Sequence, residues 1–80
     1  MPKSHALSAQ EQLRLLLRQV RNEAGLTQTD VAERVGQPQS FVSKYESGER
    51  RLDVLELRDV CSAVGVSLPD FIKRLEQVLQ

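Results

Sequence analysis

An all-α domain of five short helices is what this 80-residue sequence predicts. Three observations carry that prediction. Gly25, Gly36, Gly48 and Gly65 each close a stretch of helix-forming residues, as C-terminal caps do, because glycine turns left-handed at little cost. Ser8 with Glu11, Asp53 with Glu56, and Ser67 with Asp70 recur at the spacing of a capping box, in which each partner satisfies a backbone N–H of the other. No segment sustains the two-residue alternation of a strand.

The first helix is expected from about Ser8 to Ala24. Leu13, Leu16, Leu17, Val20 and Ala24 share one face of it at helical spacing, while Leu15 stands alone on the polar side. The second runs from Gln28 to Val35 behind the cap Thr27. The third begins near Pro38 or Gln39 and ends near Ser47. The fourth follows Asp53 through Val64, and Cys61 on its apolar side reads as a small buried hydrophobe. The fifth follows Ser67, with Pro69 where a first turn has no use for the missing donor. It carries Phe71, Ile72, Leu75, Val78 and Leu79 with Leu68, a face wider than the ~100° stripe that one core needs. Phe71, Ile72 and Leu75 are therefore assigned to the core, and Val78 and Leu79 to an interface, with Leu15 as a second candidate. Residues 1–7 are read as a flexible tail and 8–80 as a single domain.

Helices two and three are joined by only Gly36-Gln37-Pro38, which is the helix-turn-helix arrangement. On the third helix, Phe41, Val42 and Tyr45 gather on one side. Gln39, Ser40, Ser43, Lys44 and Ser47 form a contiguous strip on the other. That strip suits a DNA major groove: a glutamine amide pairs bidentately with adenine, serine hydroxyls serve several bases, and lysine reaches guanine or a phosphate.

The stretch Gly25-Leu-Thr-Gln-Thr-Asp-Val-Ala-Glu-Arg-Val-Gly36, continued by Gln-Pro-Gln-Ser-Phe-Val-Ser-Lys-Tyr-Glu-Ser-Gly-Glu-Arg50, resembles the helix-turn-helix domain of the lambda-repressor/Cro-like or XRE family. Ala63-Val64-Gly65-Val66-Ser67 resembles the end of that family's fourth helix. The likeness extends over about residues 12–73. It implies a small bacterial or phage-type transcriptional regulator that binds double-stranded DNA sequence-specifically. Carried onto matching positions, it implies that Gln39, Ser40, Ser43 and Lys44 contact bases. Gln28, Gln37, Ser47, Arg50 and Arg51 are expected on the DNA backbone, with Gln28 also bracing Gln39. Glu49 departs from the pattern, since a carboxylate is a poor neighbour for phosphate. The resemblance also links Arg21, at the edge of the first helix's core stripe, to Glu46, at the edge of the third helix's apolar side, as a partly buried ion pair.

Charge and composition bound the function. Eleven basic and eleven acidic residues cancel, which rules out a tail that coats nucleic acid by bulk charge but not a reader with its cations on one side. The lone cysteine excludes a disulfide-stapled secreted scaffold. One histidine, His5, and one cysteine make no zinc site and no hydrolytic triad, so neither enzyme activity nor a cofactor is expected. No run is long enough to span a membrane and the N-terminus has no signal-peptide core, so a cytoplasmic location is expected, with no small-molecule ligand evident. The expected partner is a palindromic DNA operator, bound as a homodimer. An antitoxin or restriction–modification controller of the same fold is one alternative. A protein–protein adaptor that has left DNA behind is the other.

Overall fold

The computed structural model describes residues 7–80 and contains α1 (Ala9–Glu23), α2 (Gln28–Val35), α3 (Gln39–Ser47), α4 (Val54–Ala63) and α5 (Leu68–Leu79). His5 and the tail assigned to residues 1–7 lie, Leu7 apart, outside the described residues.

Local chemistry explains the starts. Ser8 accepts from the Glu11 N–H at 3.1 Å while its own N–H donates to the Glu11 carboxylate at 2.8 Å. Asp53 and Glu56 do the same at 2.8 and 2.9 Å. Thr27 and Asp30 form a third complete box at 3.1 and 2.9 Å, where only the Thr27 half was expected. Conversely, α5 has only half of the box expected there: Ser67 accepts from the Asp70 N–H at 3.2 Å, and the Asp70 carboxylate does not bond back. α2 stops at Gly36, whose φ of 70° is the left-handed region. That lets the Gln37 N–H reach the Ala32 carbonyl at 2.9 Å and turns the chain sharply into α3.

The caps tie the fold to pH. Hydrogen bonds from Ser8 hold Glu11, and those from Thr27 hold Asp30, below their ordinary values of 4.5 and 3.8. Arg74 lowers Glu23, and Arg50 lowers Glu56, from the same glutamate value of 4.5. Because each folded pKa lies below the unfolded one, the stabilisation is complete above pH 4.5 and is lost as acid protonates the folded carboxylates. Thermal melting is therefore expected to be flat from pH 7 to about 5.5 and to fall steadily below about 4.5. A Tm that rises on acidification would contradict this.

Each helix packs principally on two others, and the contacts close a ring in the order α1, α3, α2, α4, α5 and back to α1. Leu16, Leu17 and Val20 of α1, Val31 and Ala32 of α2, and Val42 and Tyr45 of α3 are buried at its centre. Leu57, Val60 and Cys61 of α4 and Phe71 of α5 complete that centre. Cys61 is fully enclosed, and desolvation pushes its thiol up to about 11. Two core assignments need correction. Ala24 is exposed at the α1 C-cap. Leu26, returned beyond the turn by its N–H bond to the Arg21 carbonyl at 3.2 Å, packs on the core instead. Ile72 is 39% exposed, because α5 meets its neighbours through Phe71, with Leu68 and Leu75 partly buried beside it. Ile72 therefore belongs to the outer face.

Candidate nucleic-acid interface

α3 is held by its apolar side and offers its polar side. Val42 and Tyr45 are buried, and Phe41 packs edge-on against Tyr45 with ring centroids 5.5 Å apart. On the opposite side Gln39, Ser40, Lys44 and Ser47 are exposed and Ser43 is partly so. Ser43 donates to the Ser40 carbonyl at 3.3 Å and Ser47 to the Lys44 carbonyl at 3.1 Å, so both hydroxyls rest on the helix backbone. α3 differs from the other four helices at its start. Its N-cap is Pro38, which supplies no side-chain bond, and its first turn holds no acidic residue. Gln37, also exposed, sits in the turn just before it.

A continuous polar network runs beneath this surface. Arg21 donates to Glu46 through Nε at 2.7 Å and Nη2 at 2.8 Å, and its Nη1 donates to the Leu26 carbonyl at 2.9 Å. The two side chains are only 11% and 5% exposed. The hydrogen bond to Glu46 raises the Arg21 pKa above its already high ordinary value, so the guanidinium keeps its charge. Gln28 donates to the same carboxylate at 3.0 Å, and Gln39 donates to the Gln28 amide oxygen at 2.7 Å. α1, the head of α2, the head of α3 and its last turn are thereby joined.

Beyond α3 the two adjacent arginines differ. Arg51 is exposed. Arg50 is paired within the protein. Its guanidinium makes a bidentate bond to Glu56 at 2.6 and 3.2 Å, donates to the Arg51 carbonyl at 3.0 Å, and lies 4.6 Å from the centre of the Phe41 ring. The reason is local: the Asp53–Glu56 box brings the Glu56 carboxylate within reach of the loop. Arg50 thus fastens that loop to α3 and α4. On the other side, the Arg14 guanidinium rests against Gly48, whose φ of 93° and missing side chain leave it room; a Cβ there would stand 3.0 Å from Arg14 Cζ.

Sequence reasoning missed several features. Arg34 donates to the Ala63 carbonyl at 2.8 Å, capping α4 from α2. Arg74 makes a bidentate bond to Glu23 at 2.9 and 3.0 Å, tying α5 to α1. Val54 and Leu55 at the start of α4 are the most exposed large apolar residues described. Their position outside the Leu57, Val60, Cys61, Val64 stripe was the signal that could have found them. On α1 and α5, Leu15 is 52%, Val78 45% and Leu79 38% exposed. Leu15 and Val78, with Leu7 and Gln19, line a shallow groove of about 160 Å³ between α1 and α5. Among the described residues no helix is long and apolar enough to cross a membrane.

A five-helix ring with a short-turned α2–α3 pair defines a lambda-repressor-like helix-turn-helix domain. The chain belongs to the helix-turn-helix family HTH_3, of XRE-type DNA-binding transcriptional regulators, which matches residues 17–71. An XRE-family like protein from Pseudomonas syringae pv. tomato str. DC3000 is 43% identical in structure-based alignment, with a TM-score of 0.83 over 90% of this chain and 88% of that one. An uncharacterized HTH-type transcriptional regulator, y4dJ of Sinorhizobium fredii (strain NBRC 101917 / NGR234), is 42% identical over 48 residues. That match spans 60% of this chain and 62% of the relative. In fold the chain is also similar to the restriction–modification controller protein C.Esp1396I in the tetramer bound to its natural 35 base-pair operator. There the TM-score is 0.81 at 22% identity, over 94% of this chain and 100% of that one.

Proposed function

We propose that this protein binds a two-fold symmetric DNA operator as a homodimer, each copy laying α3 in the major groove. The observation that carries this reading is the division of α3, with Val42 and Tyr45 in the core and an unbroken polar strip on the far side. Gln39, Ser40, Ser43 and Lys44 are assigned to base edges. Gln28, Gln37, Ser47 and Arg51 are assigned to the DNA backbone, which sets register rather than sequence. The uncapped start of α3 supports the docking, since free amides at a helix N-terminus favour a phosphate. Arg50 contributes by holding the α3–α4 loop, so that Arg51 carries the cationic contact there.

Selection from random DNA, with sizing of the complex, tests the reading. Gln39→Ala is expected to weaken specific binding by about 1–3 kcal/mol while sparing non-specific binding. Arg51→Ala is expected to weaken binding to all sequences and to flatten the salt dependence by about one charge. A Gln39→Ala protein with unaltered preference at every position would remove α3 from the role of reader.

The dimer follows from discrimination. One recognition helix covers too few base pairs to stand out among genomic sites, and two-fold symmetry doubles the contacts without new sequence. The half-sites are expected about 34 Å apart, one helical turn of DNA. Val78 and Leu79 on α5, with Leu15 on α1, supply the pairing surface, and Ile72 joins them. Sedimentation at micromolar concentration is expected to show a dimer that Val78→Asp with Leu79→Asp converts to monomer. A monomer both with and without DNA would sink the proposal.

A further inference from the structure

We infer that the outer ridge of α4 is a second self-association surface, on which two copies of this chain meet antiparallel across a two-fold axis between Arg58 and Asp59. The ridge shares no residue with the α3 strip or with the α1–α5 face. Val54 and Leu55 open it, 63% and 68% exposed, and Arg58, Asp59 and Ser62 continue it, all exposed. Leu57, Val60, Cys61 and Ala63 take the buried side of the same helix. The ridge stands between two shallow grooves of about 530 Å³ each, one running to the head of α5 and the other to the tail of α2. Asp59 and Ser62 line both.

The charges of the ridge are unserved within the chain. Three and four residues from Arg58 stand Val54, Leu55, Cys61 and Ser62; around Asp59 stand Leu55, Glu56, Ser62 and Ala63. Neither therefore has an opposite charge where helix neighbours meet. The ion pairs among the described residues are Arg21–Glu46, Arg50–Glu56 and Arg74–Glu23, and neither residue joins them. What complements this ridge is the ridge itself. Across a two-fold axis, any contact of one residue with another is made twice. An antiparallel crossing centred between Arg58 and Asp59 brings Arg58 to the partner's Asp59 and Leu55 to the partner's Ser62. Leu55 and Ser62 are seven residues apart, about 10 Å along the axis and within ~20° of one stripe. The large side chain of each copy thus stands over the small one of the other, where the flanking grooves leave room. Equal numbers of acidic and basic residues leave no net repulsion between copies. One helix face per partner falls short of the ~1,200 Å² of a stable interface, so the contact is weak in free solution. It acts between dimers already held side by side, where tethering raises the effective concentration.

Sedimentation of the full chain from about ten micromolar to about a millimolar, the range of weak contacts, tests this. Wild type is expected to associate beyond the dimer. Arg58→Glu and Asp59→Arg are each expected to weaken that step roughly tenfold, since the two-fold axis turns two attractions into two repulsions. An equimolar mixture of the two variants places opposite charges together again, as does the double variant Arg58→Glu with Asp59→Arg. Both are expected to recover the wild-type strength. Leu55→Asp is expected to abolish the step, with an unchanged Tm showing that the fold is intact. Recovery on mixing two defective proteins cannot come from a folding defect or from net charge. No association beyond the dimer at a millimolar, or a mixture no stronger than its components, would overturn the contact and leave the ridge to a different partner. The α1–α5 pairing is judged separately. A micromolar dimer that survives Val78→Asp with Leu79→Asp but is lost in Leu55→Asp would keep the α4 contact and remove the other.

Discussion

Glu46→Ala lowers the stability of the domain by about 3–5 kcal/mol, because it strands the Arg21 guanidinium at a largely buried site with only the Leu26 carbonyl left to it. Domains of this size hold only ~4–12 kcal/mol in all, and each kcal/mol moves the melting point by roughly 4–8 °C. A fall in Tm of more than about 10 °C is the expected reading. The loss belongs to the unpaired charge rather than to the pair as such. A double variant, Arg21→Met with Glu46→Leu, is therefore expected to recover much of it, since apolar replacement of a buried pair is often neutral. An unchanged Tm for Glu46→Ala would mean that water already serves Arg21 and that the pair does not hold α3 to α1.

Phe71→Ala has an effect of similar size and a different cause. Phe71 is the one buried residue of α5 and is wholly inaccessible. Truncating a core phenylalanine costs about 3–5 kcal/mol through lost transfer energy and the cavity left behind. Little else holds α5: Leu68 and Leu75 are only partly buried, and the Arg74–Glu23 bond is exposed, where such pairs contribute under about 1 kcal/mol. Ile72→Ala, one position on, is expected to stay within about 0.5 kcal/mol in the separated protomer, as exposed substitutions do. Chemical denaturation of the two variants separates them. Equal losses would contradict the orientation of α5.

The helices were legible because their boundaries are written in local chemistry. Ser8, Thr27, Asp53 and Ser67 cap within three residues of themselves, and glycine marks the exits of α1 to α4, so no tertiary information is needed. The polar strip of α3 was legible from periodicity alone. The ion pair was implied by the family resemblance, and the places of Arg21 and Glu46 at the margins of apolar faces agree with it. The fate of Arg50 could not, since Glu56 and Phe41 reach it only through the folded path of the loop. Nor could the bond from Gln28 to Glu46, because sharing one carboxylate depends on the crossing angle of α2 and α3. Ala24 and Ile72 were misassigned for a common reason. Helical periodicity extends to the ends and edges of a stripe, whereas the core of so small a domain does not reach that far.

The hydrogen bond between Gln39 and Gln28 also bears on how such a protein changes its target. In the free domain Gln39 is exposed, so any residue substituted there leaves the Gln28 oxygen to water at little cost. In the docking proposed above, DNA covers the site and excludes that water, and an orphaned buried acceptor costs about 1–3 kcal/mol. A new side chain at Gln39 that cannot donate thus carries a penalty that appears only on the operator, and a matching change at Gln28 removes it. The two positions are epistatic on DNA and nearly additive off it. Ser43 and Ser47, whose hydroxyls bond only within their own turn or the adjacent loop, are open to single exchanges. Drift in operator preference is therefore expected to begin along the body of α3, while its first residue changes only in company.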